Sequence, residues 1–263
     1  GLGDVYKRQH FILFIYLFKY IYIYKMSAIS DNKKYYKSRL PQLIFNTALT
    51  FTGTYGLYVC SKIILPPKLM VAGHKQFLTN ISLVVAIIQE LSTITAILSN
   101  GNKQIVFISE ELLLPIALVL ETVVTSVYWP LKIFFVHLIF QKNPNYASKS
   151  RSEYLPLRVD LCLHLFPFLG MAANFFIFKK KKFSINESKI VLSLCASLGL
   201  LYIFWLKFLI PEGGKYPYPF LDIPEPWKTI VMLFVTNIAF GYFKLLQWLK
   251  SDSKEEKKLE KKE

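Results

Sequence analysis

The chain has 263 residues, 53% of them hydrophobic and 16% aromatic, with a mean hydropathy of +0.36. That balance is too apolar for an ordinary water-soluble enzyme of this length and calls for lipid. The formal charge of +15 sits in clusters between hydrophobic runs and not along one amphipathic face, so membrane topology accounts for it and nucleic-acid binding does not.

In chain order, Gly1 to Gln9 read as translated adapter text, and the following run rich in Phe, Ile, Tyr and Lys as an untranslated leader. Residues 1–25 are therefore expected to be non-native, with Met26 as the start. A signal anchor is the rival, but Lys19 interrupts a run already short for a span. Residues 26–41, with the basic stretch Lys33 to Arg39, form the expected cytosolic N-terminus.

Six segments then reach the roughly 20 apolar residues that a bilayer-spanning helix needs: about 42–64, 77–98, 107–129, 157–178, 189–210 and 228–248. They are continuous runs without the alternation of a membrane barrel strand, so the expected fold is all-α, a polytopic membrane helix bundle of about six transmembrane helices. Lys and Arg are richer on the side that holds both ends, the Lys179 to Lys182 run supplying much of the excess, which predicts cytosolic termini. Residues 130–141 continue apolar, yet Pro130 and Lys132 favour an interfacial or re-entrant segment. Residues 249–263 mix Lys and Glu and read as a disordered charged cytosolic tail.

Polar groups are costly in hydrocarbon, about 2.5–3.5 kcal/mol per charge on insertion scales, so those inside the spans are the functional candidates. Thr79, Asn80, Gln89 and Glu90 lie in the second span, Glu121, Thr122 and Thr125 in the third, and Asp160, His164 and Asn174 in the fourth. Asp160 and His164 stand four apart and share a helix face. His164 is the one histidine deep in a span and titrates near neutrality when unperturbed, as a base must, although taken alone it reads more simply as a structural histidine bonded to a neighbouring helix. Thr79 taken alone reads more simply as a helix-start or back-bonding threonine. Cys60, Cys162 and Cys195 fit neither a disulfide framework nor a metal site and read as small core residues. No G-x-S-x-G, H-E-x-x-H or G-x-x-x-x-G-K-[ST] pattern occurs.

Ala72-Gly73-His74-Lys75-Gln76-Phe77-Leu78-Thr79-Asn80 resembles the G-x-x-K-[YF]-L-T-[FN] stretch of the androgen-induced-gene-like family of multi-span membrane hydrolases. Asp160-Leu-Cys-Leu-His164-Leu-Phe-Pro167 is similar to that family's histidine segment. Leu114-Pro115 with Tyr128-Trp129 resembles its third helix, and Tyr216-Pro217-Tyr218-Pro219-Phe220-Leu221 its Tyr-Pro motif before the last helix. The four landmarks fall in order across residues 42–248.

The resemblance implies hydrolysis of fatty acid esters of hydroxy fatty acids, with Thr79 as nucleophile, His164 as base, no metal or organic cofactor, and an endoplasmic reticulum location. Asn80 and Asp160 are supporting candidates. Asp160 departs from the Asn of better-studied relatives, and the proline after the histidine falls at a different distance. A non-catalytic lipid-binding or scaffold protein is the alternative, and a small transporter using Glu90, Glu121, Asp160 and His164 a further one. The bilayer and a membrane lipid ester are the expected partners, with no nucleic acid; the oligomeric state is not legible.

Overall fold

A computed structural model describes residues 29–139, 155–184, 188–211, 213–224 and 226–250, with side chains from residue 38 onward. The expectations for residues 1–25 and for the tail beyond residue 250 lie outside the described residues. The chain divides into two units, residues 1–41 and 42–263. Of the first, only residues 29–41 are described, as the front of helix α1 (Ile29–Ser61). The second holds the helix bundle.

Among the described residues there are helices and turns and no strand. After α1 come two 3-10 turns, Pro67–Leu69 and Gly73–Gln76, then α2 (Leu78–Leu98) and α3 (Lys103–Phe107). A π-helical stretch, Ile108–Leu113, joins α3 to α4 (Leu114–Phe134), and the 3-10 turn Val136–Leu138 follows. Next are α5 (Leu157–His164), α6 (Phe166–Ala173) and a π-helical end, Asn174–Phe178. Helix α7 (Ser188–Leu209), the 3-10 turn Pro219–Leu221 and α8 (Trp227–Leu249) complete the order.

Among the described residues, five helical runs are long and apolar enough to cross a membrane: Leu78–Leu98, Lys103–Phe134, Leu157–Phe178, Lys189–Leu209 and Trp227–Leu249. All five fall on expected spans. The remaining expected span, 42–64, lies on α1, which is lowered in hydropathy by Gln42, Asn46, Thr47, Thr50, Thr52 and Thr54. Most of these groups are satisfied internally, as a helix in hydrocarbon requires. Thr47, Thr50 and Thr52 bond the carbonyls four residues back, and Asn46 and Asn174 exchange amide hydrogen bonds of 2.7 and 3.0 Å.

Helix α4 is central: α2, α5, α6 and α8 pack on it, and α7 packs on α8. Its inner face contributes Leu114, Ala117 and Leu118 to a core completed by Met171, Phe175, Val191 and Phe243. Lipid offers no hydrophobic drive between helices, so close approach at small residues holds them together. Gly56 is such a contact, because a Cβ there would lie 3.1 Å from Cys162 Cβ and 3.3 Å from Leu163 Cδ2.

Residues 130–134 add no separate segment but continue α4 through Pro130 to Phe134. The lysine that argued for an exit is accommodated inside: the Lys132 ammonium pairs with buried Asp160 and lies 5.2 Å from the Trp129 ring centroid. The single turn Val136–Leu138 follows the helix.

Candidate active site

The start of α2 is set by the loop before it. Gly73 takes φ +61°, a conformation that favours glycine. Buried Gln76 donates to the carbonyls of Leu69 and Gly73 at 2.8 and 2.9 Å, and α7 clamps the same stretch through Tyr202 to the Gln76 carbonyl and Trp205 to the Lys75 carbonyl, each 2.9 Å. Phe77 is extended and opens the helix, which puts Thr79 in its first turn. There Thr79 is 8% exposed, and its side chain hydrogen-bonds the Tyr218 phenol, toward which the Leu78 and Thr79 backbone also turns. Burial pushes the Tyr218 phenol up from its ordinary value, so this side chain keeps its proton.

His164 is the last residue of α5. The expected fourth span is broken just after it, because Leu165 leaves helical geometry (φ −130°, ψ −53°) and Pro167 has no N–H to return. The freed His164 carbonyl accepts hydrogen bonds from Thr125 Oγ1 at 2.7 Å and Trp129 Nε1 at 3.2 Å, so α4 satisfies the break. The imidazole is fixed as firmly. Its Nδ1 lies 2.8 Å from Asp160 Oδ1, which also accepts the Tyr128 hydroxyl at 2.6 Å, while Lys132 pairs with the other carboxylate oxygen. The Tyr128 ring stacks on the imidazole with centroids 3.4 Å apart. A carboxylate accepts, so Nδ1 of a neutral imidazole carries the proton and Nε2 keeps the lone pair for the cavity.

That cavity holds about 450 Å³, within the range of small-ligand sites, and its wall is largely apolar. Thr79 and His164 both line it, as do Tyr128 and Tyr218, with Cys60, His74 and Asn80 on the same wall. A smaller space of about 70 Å³ beside it is bounded by Thr79, Val123, Tyr202 and Phe220. Thr79 is bonded to Tyr218 and not to His164, so the two share one chamber without a direct bond.

The other candidates divide. Asp160 joins His164. Asn80 reaches the cavity, but its amide is engaged on both sides, donating to the His74 carbonyl at 2.9 Å and facing the Cys60 thiol through Oδ1 at 3.6 Å. Glu90 takes the Thr50 hydroxyl at 3.1 Å, and fully buried Glu121 lies beside it and Ser82, among residues that do not line the cavity. Reading the sequence missed Tyr128, Lys132 and Tyr218 as site residues. Tyr128 and Tyr218 belong to stretches that stood out as landmarks, whereas Lys132 had no signal beyond its charge.

The model of the FAR-17a/AIG1-like protein family matches residues 42–251, which contain the cavity and all of its walls. The chain is 38% identical over 216 residues to the UPF0641 membrane protein YHR140W of Saccharomyces cerevisiae, covering 78% of this chain and 88% of that protein. It is 28% identical over 168 residues to the UPF0641 membrane protein PJ4664.05 of Schizosaccharomyces pombe, covering 63% of this chain and 70% of that one. No solved structure matches. With the family pattern running through the whole bundle and the cavity at its heart, the chain belongs to the FAR-17a/AIG1-like family.

Proposed function

We propose that the protein is an intramembrane ester hydrolase acting on fatty acid esters of hydroxy fatty acids, with Thr79 as nucleophile and His164 as base. The observation that carries this reading is that a threonine and a carboxylate-oriented histidine from separate helices meet in one apolar cavity. An ester buried among acyl chains partitions into such a chamber more readily than into a water-facing cleft.

In the proposed cycle His164 Nε2 takes the Thr79 hydroxyl proton as Oγ attacks the ester carbonyl. The tetrahedral intermediate collapses, the C–O bond to the alcohol breaks, and the imidazolium returns the proton to the departing alkoxide. Water, deprotonated by the same nitrogen, then cleaves the acyl-threonine, freeing the acid and restoring the hydroxyl. Asp160 stabilises the imidazolium and fixes its tautomer, with Tyr128 and Lys132 holding the carboxylate. Before attack the Thr79 hydroxyl must turn from Tyr218 toward His164, which leaves the neutral Tyr218 phenol free to donate to the oxyanion. No metal or organic cofactor enters this chemistry. The same reading places the protein in the endoplasmic reticulum with both termini cytosolic.

The test is hydrolysis of a panel of hydroxy-fatty-acid esters by detergent-purified protein, with Thr79→Ala and His164→Ala at matched folding. Turnover by wild type and loss in both variants is expected. An inert wild type, or variants that keep full activity, would hand the cavity to a lipid-binding role.

A further inference from the structure

The wall of the cavity also carries a free thiol. Cys60, near the end of α1, lines the chamber and is partly exposed, whereas Cys162 and Cys195 are buried in the bundle. His74 reaches the same wall from the turn before α2, and its Nδ1 lies 3.8 Å from the Cys60 sulfur. The other ring nitrogen, Nε2, is 3.1 Å from the Ile63 carbonyl. A carbonyl can only accept, so Nε2 carries the proton and Nδ1 presents its lone pair to the thiol, the orientation a base needs to draw off that proton. Asn80 ties the two together: its amide donates to the His74 carbonyl and its Oδ1 accepts from the Cys60 thiol at 3.6 Å, so the S–H must swing from Asn80 to His74 Nδ1 before the proton is transferred. This cysteine, histidine and asparagine cluster shares no side chain with the Thr79 and His164 machinery, although it opens on the same apolar space.

We propose that Cys60 is a covalent acceptor for lipid-derived α,β-unsaturated carbonyl compounds, with His74 as its base. The thiol sulfur adds to the β-carbon of the enal or enone, forming the S–C bond as the C=C π bond breaks toward the carbonyl. The thiol proton passes to His74 Nδ1 and then to the α-carbon of the enolate, so the step needs no oxidant. The apolar chamber selects acceptors that carry an acyl chain, and the adduct fills space that an ester substrate would need. The inference rests on the cavity and not on hydrolysis, so its test can be run on a variant without the threonine.

Purified protein, wild type and Thr79→Ala, would be treated with trans-2-octenal and, separately, with trans-2-butenal, which has the same β-alkyl substitution and a shorter chain, and adducts mapped by peptide mass spectrometry. Cys60 is expected to label at least roughly ten-fold faster than Cys162 or Cys195 in both proteins, and the longer aldehyde to outpace the shorter at Cys60. His74→Gln, whose amide can still donate to the Ile63 carbonyl, should slow labelling about ten-fold or more, since positioned base catalysis typically contributes at least that much. Equal labelling of the three cysteines, an adduct on Lys62 in place of Cys60, or no preference for the longer chain in wild type would overturn the proposal. The chain-length comparison needs no variant, so a misfolded His74→Gln would not decide the matter.

Discussion

At the scale of single residues, the site is a set of side chains whose partners determine what each can do. His164 differs from an ordinary buried histidine because Asp160, Tyr128 and the end of its own helix leave its ring one orientation. Thr79 differs from an ordinary helix-start threonine because Tyr218 meets its hydroxyl. Burial raises the phenol above its ordinary value, so Tyr218 is neutral through the physiological range and remains a donor there; the sign matters, because a lowered value would have removed the donor at alkaline pH. Tyr218→Phe is expected to reduce kcat roughly 10²- to 10³-fold, the usual loss for one oxyanion donor, with KM little changed. Steady-state kinetics on a hydroxy-fatty-acid ester checks it, and an unchanged kcat would remove Tyr218 from the mechanism. The sequence singled out Thr79 and His164 by motif and paired Asp160 with His164 by helix spacing, and in the structure the first two line one cavity while Asp160 holds the imidazole. Lys132 was not, since a lysine after a proline reads as a helix exit until the buried carboxylate that holds it, from another helix, is known.

Among the helices, five of the six apolar runs coincide with helical runs fit to cross a membrane, two of them almost to the residue: 77–98 became Leu78–Leu98, and 228–248 became Trp227–Leu249. Interruptions were harder to see. Nothing local to Leu165 marks the break after His164 except Pro167, and proline in a membrane helix is compatible with either a kink or continuity. Pro130 shows the other outcome, since α4 runs through it. What separates the two is tertiary: Thr125 and Trp129 wait to accept the loss of helical bonding at His164. Helix approach is equally non-local, as at Gly56, where the space for a side chain is already filled by Cys162 and Leu163. Gly56→Leu is expected to overpack that contact and destabilise the protein by about 1–3 kcal/mol. Thermal unfolding in detergent should show a lowered midpoint, whereas an unchanged one would mean that α1 does not press on α5 as described.

For the molecule as a whole, composition specified a membrane bundle, and its lipid-facing aromatic and aliphatic side chains, among them Phe204, Phe208, Leu233 and Phe234, remain exposed on the outside. The direction of insertion is an expectation that rests on charge across six spans. With Lys and Arg richer on the side of both ends, an epitope tag placed at either terminus is expected to be reached by antibody after selective permeabilisation of the plasma membrane. A tag protected until internal membranes are dissolved would reverse the orientation.

The continuous helical run Lys103–Phe134 has 32 residues, a length of roughly 48 Å against a hydrocarbon core of about 30 Å. Such a run must tilt or project, and the angle it takes depends on how thick the surrounding bilayer is. Tyr128 and Lys132 ride near its end, while Asp160 and His164 belong to a shorter, interrupted run, Leu157–Phe178. The grip on the imidazole is therefore assembled from two rods of unequal length. The acyl-chain length of the host membrane is expected to act on that grip as a mechanical input, through lipids that never enter the chamber, and turnover in bilayers of graded thickness would check it.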